Sequence, residues 1–227
     1  MNEAIPTPSH FLLWQLADSA FPTGGFAHSG GLEAAWQHRE VRGGNDLAAF
    51  LGTALEQLAH GALVFVHASF SDSKEFAELD ELCDAFTTNH VANRASRGQG
   101  RALLAATERS FGGDGLRELR ALLQERELPG HLPPVFGGVG RLLGLGADDT
   151  ARLFVFTQLR GWISAAVRLG IIGPMEGQSI QSKLSTAAAQ TAAQFGKVAL
   201  DDIAQTAPLL DLFQGAQDRL YSRLFQS

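Results

Sequence analysis

The stretch from Asp149 to Gly170, DTARLFVFTQLRGWISAAVRLG, constrains the fold most, because its apolar side chains fall on nearly every side of a helix. Such a helix has to be enclosed by other elements rather than laid on a surface. Gly161, Ser164, Ala165 and Ala166 offer small contacts to those neighbours, and Gly170 with Pro174 ends the segment. Helical spacing recurs elsewhere: Leu47, Phe50, Leu51, Leu55, Leu58, Leu63, Phe65 and Val66 predict one long buried helix behind Asn45 or Asp46. Ser9 caps a first helix, a short one lies between Gly30 and Gly43-Gly44, and LRELRALLQERE forms another before Pro129. From Met175 to Leu200 the alanine-rich run reads as a single long helix. No run keeps the strand period and no repeat recurs. The predicted fold is all-α, one domain over residues 1–227 with about ten helices, a flexible start over 1–8 and a tail from about 214 to 227.

Between the first two helices lies LADSAFPTGGFAHSGGLEAA, residues 16–35, too rich in glycine for helix or strand. Pro22 pushes Phe21 out of α geometry, and Gly24, Gly25, Gly30 and Gly31 permit backbone shapes that side chains forbid. Ser29 or Gly30 caps the helix that follows, which puts Glu33 at its positive end. Ala27-His28-Ser29-Gly30-Gly31 is an alanine variant of the nucleophile elbow of serine hydrolases, but the strand that motif needs upstream is replaced by Pro-Thr-Gly-Gly. On its letters the loop is a shaped connector with Phe21 and Phe26 turned into the core.

A net charge of −6 and a pI near 5.6 argue against nucleic acid, whose phosphates call for a basic surface. The lone Cys83 excludes an internal disulfide and any cysteine-based zinc site, which suits a reducing compartment. The first ten residues hold an acid, two prolines and no apolar signal core. The apolar run from Leu153 to Gly173 is interrupted by Arg160 and Arg168, which argues against a membrane span. Cytoplasm is the expected location.

Among seven histidines none has another at i+3 or i+4, and His60 and His67 lie roughly 10 Å apart along a helix, too far to share one ion. No metal site, cofactor site or catalytic set is expected. Gly138, Gly140 and Gly144 lack the preceding strand of a dinucleotide fingerprint and read as helix-packing notches. KEFAELDELCDAF is amphipathic, and its carboxylates are expected to face water. Arg94, Arg97 and Arg101 line one side of the next helix, and their partners are either internal acids or another protein's carboxylates. At the end of the chain, Leu220 with Leu224 and Tyr221 with Phe225 are i,i+4 pairs flanking Arg219 and Arg223. These residue types dominate interfaces, and the segment either folds back on its own domain or meets a partner.

Three stretches together resemble the urease accessory protein UreF family. They are LADSAFPTGGFAHSGGLE, with Pro22, Gly24, Phe26, Ser29, Gly31, Leu32 and Glu33 on the family's signature; WISAAVRLGIIGPMEGQ; and the ending LYSRLFQS. The chain departs from the family at Ile172-Gly173-Pro174, where many members have Leu-Gly-Gln, and at Gln217, near a common histidine. The resemblance implies an all-α homodimer that binds UreD (also called UreH) and recruits the GTPase UreG to build the nickel centre of the urease apoprotein, with no catalysis of its own. It places partner contacts on the loop residues Phe21, Pro22, Gly24, Phe26, Ser29, Gly31 and Glu33. Added to these are Arg94 and Arg97, and Arg219, Leu220, Tyr221, Arg223, Leu224 and Phe225 of the tail. The tail is expected to be mobile in the free dimer and to become a helix in a groove of UreD, with Arg219 and Arg223 on its carboxylates.

Overall fold

A computed structural model describes residues 9–72 and 74–227; the expected flexibility of residues 1–8 lies outside them. Among the described residues there is no strand. The helices are α1 (Ser9–Ala17), α2 (Leu32–Gln37), α3 (Gly44–His60), α4 (Ala62–Phe70), α5 (Phe76–Phe86), α6 (His90–Phe111), α7 (Asp114–Glu125), α8 (Leu132–Leu142), α9 (Ala147–Arg168), α10 (Pro174–Lys183), α11 (Ser185–Ala192) and α12 (Pro208–Ala216). The all-α expectation holds.

As its apolar girth requires, α9 is central and packs against α1, α2, α3, α4, α8, α10 and α11. Leu153 joins the core formed with α1, α6, α7 and α8; Leu159 and Ile163 join that formed with α2, α3 and α10; Phe154 and Val155 join that formed with α3, α4 and α11. The closest packing is elsewhere, where α8 is pressed between α4 and α6. Gly137 and Gly138 make this possible: a Cβ on Gly137 would overlap the Val66 carbonyl and lie 3.0 Å from the Phe70 nitrogen. Gly138 and Gly140, the latter against Thr150, are notches as expected, whereas Gly137 was not among those the sequence singled out. Gly144 is different, since its φ of 72° serves the turn that ends α8.

Two long helices of the sequence reading are divided. The apolar run from Leu47 to Val66 breaks at Gly61, whose backbone (φ −121°, ψ −95°) no longer continues the helix. The freed end of α3 is satisfied by the segment before α12: the His60 carbonyl accepts from the Ala204 amide at 3.0 Å, and Gln57 Oε1 from the Ala207 amide at 2.9 Å. By length and composition Gly44–Phe70 could cross a bilayer, yet 56% of its most apolar window is buried inside the fold. The second run pauses at Leu184 and stops after Ala192; Gly196, at φ 76°, turns the chain against the His67 ring.

Candidate interaction site where the loop meets the tail

The loop before α2 and the last residues of the chain form one polar clamp. The Ser29 amide and hydroxyl both donate to the Ser227 carbonyl, at 2.5 and 2.9 Å, and the Gln226 amide donates to the Ala27 carbonyl at 2.8 Å. His28 Nδ1 lies 2.6 Å from Ser227 Oγ. Glu33, in the first turn of α2 and only 2% exposed, accepts from the Leu224 amide (2.6 Å), the Phe225 amide (3.0 Å) and Gln217 Nε2 (2.6 Å). No cation shares this carboxylate among the described residues, so the tail's N–H groups replace the water it gave up. Phe225, 4% exposed, packs in the core of α2, α3 and α9, with the Arg168 guanidinium 4.3 Å from its ring centroid.

The tail expectation is therefore corrected in two respects. Residues 217–227 are neither helical beyond a single turn at Gln217–Arg219 nor separate from the domain, because a buried glutamate and an apolar pocket hold them. Arg223 pairs internally with Asp218 at 2.8 Å rather than being left for a partner. Asp218 also takes the Arg94 guanidinium (3.0 Å) and lies 3.3 Å from His90 Nε2. The Arg94 hydrogen bond, followed by the charges of Arg94, Arg223 and His90, holds the Asp218 carboxyl below its ordinary value. Arg94 thus has an internal acid as its partner in the free chain.

The signature residues divide by exposure. Ser29, Gly31, Glu33 and Phe225 face inward and build the clamp. Phe21 is also inward but elsewhere, stacked on Phe111 in the core of α6 and α7. Phe26 corrects the expectation of burial: it is 72% exposed, with its carbonyl accepting from Arg168. Pro22, Arg219, Tyr221 and Leu224 are exposed, while Leu220 and Arg97 are half-buried. Gly24 and Gly31 both have positive φ (73° and 87°), but only at Gly31 would a Cβ also meet α12, 3.0 Å from the Gln214 nitrogen. Gly31→Val is accordingly expected to loosen α12 and the tail in limited proteolysis. Gly24→Val carries backbone strain alone and should leave that digestion pattern close to wild type.

Ser29 has no access to substrate: it is fully buried, its hydroxyl is committed, and no strand precedes it. A second serine–histidine–aspartate chain occurs at Ser96, His131 and Asp84, with Ser96 Oγ 3.1 Å from Nδ1 and Asp84 Oδ1 2.9 Å from Nε2. The His131 ring is fully buried, and Ser96 Oγ also accepts from the Leu132 amide at 3.2 Å, so the chain binds α5, α6 and α8 together. Asp80 completes it by accepting from the Gly130 and His131 amides at 2.6 and 2.7 Å; burial raises its pKa, against those two bonds. The expectation that the α5 carboxylates face water thus fails at Asp80, which is fully buried. Among the described residues no group of three or more His, Cys, Asp and Glu could hold a metal ion. A cavity of about 710 Å3 lies beneath the loop, among α1, α6, α8 and α9, lined by Phe21, Gln99, Leu132, Phe154 and Gln158.

Burial, and then the charge of Arg94, lower the His28 pKa from its ordinary 6.5. A released or unfolded His28 keeps the ordinary value, so protons bind that state preferentially. Docking is at full strength above pH 6.5 and weakens as the pH falls through and below it. Hydrogen exchange at the Leu224 and Phe225 amides is expected to speed up, beyond the intrinsic chemistry, between about pH 7.5 and about pH 5.5. His28→Gln should flatten that response.

Fold and site together define an all-α protein whose family signature is spent on joining an N-terminal loop to a C-terminal tail. The family model for UreF matches residues 41–185, and the chain belongs to the UreF family of urease accessory proteins. It is 38% identical over 216 residues to urease accessory protein F of Oryza sativa subsp. indica, covering 93% of this chain and 83% of that one. The corresponding protein of Arabidopsis thaliana is 38% identical over 218 residues (94% and 91%). Urease accessory protein UreF of Arthrobacter sp. is 33% identical over 219 residues (95% and 96%). Membership gives the chain a role in urease maturation.

Proposed function

We propose that this chain is a non-catalytic scaffold for nickel insertion. As a cytoplasmic homodimer it binds UreD (UreH), and that complex recruits the GTPase UreG to the urease apoprotein. Nickel is cargo of the assembly, and the chain carries no cofactor. The observation that carries the reading is the clamp: a buried glutamate and serine hold the tail so that Tyr221, fully exposed, and Leu224, 52% exposed, are presented to solvent on an ordered backbone. Presenting apolar side chains on a fixed frame lowers the ordering cost of binding, which a mobile tail would have to meet at the moment of contact. GTP-dependent recruitment then requires only that one assembled state prefer the GTP form of the GTPase.

Co-purification with tagged UreD tests this. Tyr221→Ala and Leu224→Ala remove little buried surface, so they should leave the melting temperature unchanged while reducing capture, and the double variant should abolish it. Full capture by the double variant would refute the assignment of this surface.

A further inference from the structure

Along α6 a groove of about 680 Å3 runs beside Arg94, Arg97 and Arg101, with Thr87, Asn93 and Gly98 in its wall. Positive charge gathers here in a chain whose net charge is −6. Two carboxylates answer it. Asp84 is already held by His131 Nε2 and Asn93 Nδ2, and Asp218 is divided among Arg94, Arg223 and His90. Arg101 donates to a neutral acceptor, the Leu128 carbonyl, at 3.0 Å. The Arg97 side chain forms no hydrogen bond or ion pair with any described residue and reaches Asp84 only through its field. The groove is thus short of negative charge along its length.

We infer that this groove binds an acidic polypeptide segment of a partner protein, with Asp218 occupying part of the site until the partner's carboxylates enter. From Arg94 to Arg101 the helix rises roughly 10 Å, so the cations are strung out rather than gathered round one point. An extended peptide places same-side carboxylates about 7 Å apart and can meet two of them at once, which a small anion cannot. A carboxylate arriving at Arg94 and His90 exchanges with Asp218, which keeps only Arg223. Occupation of the groove is thereby coupled to the first turn of the tail, just after α12.

The inference rests on the scaffold reading for the partner's being a protein. The two fail separately, because its test uses this chain alone and UreD capture is not read. A fluorescein-labelled oligoglutamate is titrated into the full chain at low ionic strength and followed by anisotropy. Arg97→Glu is expected to weaken binding roughly tenfold or more, and Arg97→Gln to weaken it less, in the same direction. Asp218→Asn should tighten it severalfold by removing the internal competitor. Arg152→Glu and Asp148→Asn make the same charge changes on α9 and should leave it unaltered. Equal losses from Arg97→Glu and Arg152→Glu, or absent binding by the wild-type chain, would overturn the inference. So would displacement of the peptide by an equal concentration of inorganic phosphate, which would mark a small-anion site.

Discussion

Deleting Gln217 to Ser227 is expected to lower the melting temperature, the reverse of what a free tail would give. The tail is held by three N–H donors on Glu33, the paired contact with Ser29, and the burial of Phe225 in the core of α2 and α9. Burying a phenylalanine contributes about 1.5–3 kcal/mol, and bonds to a charged group about 1.5–3 kcal/mol each. Ordering the segment consumes much of this gain. A tail docked about nine-tenths of the time still needs a balance near 1.4 kcal/mol, a factor of ten. In a chain of this size that amounts to at least about 3–6 °C by differential scanning calorimetry. Glu33→Ala should produce most of the same loss, and adding the deletion to it should cost little more, because both act on one clamp. Independent, additive losses would mean that Glu33 and the tail stabilise the fold separately.

The largest single-residue effect is expected at Gly137. Gly137→Ala would gain up to about 1 kcal/mol of helix propensity. The added methyl, however, meets the backbone of α4 at Val66 and Phe70, where no side chain can rotate away. Overpacking of that kind costs about 3 kcal/mol, so the clash decides the sign, and the net loss of about 2 kcal/mol should lower the melting temperature by about 4–8 °C. Gly52→Ala is the matched control in α3, since nothing lies within 4 Å of its added Cβ. It should stabilise by about 0.5–1 kcal/mol. If both substitutions stabilise, α4 and α8 are not in the contact described.

The helices and the central place of α9 were legible because apolar girth and helical spacing are properties of single segments. Their interruptions were not. Leu55, Leu58, Leu63 and Val66 keep helical spacing across Gly61, and what ends α3 is Gln57 meeting residues 204–207. Asp80 and Asp84 share a polar face with other acids on α5, and only the approach of His131 withdraws one of them from water. In the site, the signature letters Ser29, Gly31 and Glu33 marked the right place. Their role was hidden because the groups they hold are backbone amides of the tail, which carry no letter. The spacing of Leu220, Tyr221, Leu224 and Phe225 fits a helix face. Adjacent Leu224 and Phe225 instead lie in a non-helical, bent segment, the first half-exposed and the second buried in the core.

Ser29 and the residue whose carbonyl it binds are 198 positions apart. At usual translation rates the loop therefore waits roughly 10–40 s for its other half, and longer still until the tail clears the ribosome. During that interval Glu33 stays hydrated and the pocket for Phe225 stays open. A nascent or prematurely stopped chain can form most of the helical core yet cannot present Tyr221 and Leu224. If those two side chains form the surface proposed above for UreD, a chain stopped before Leu224 is expected to fail in capture by UreD although most of its helices are made.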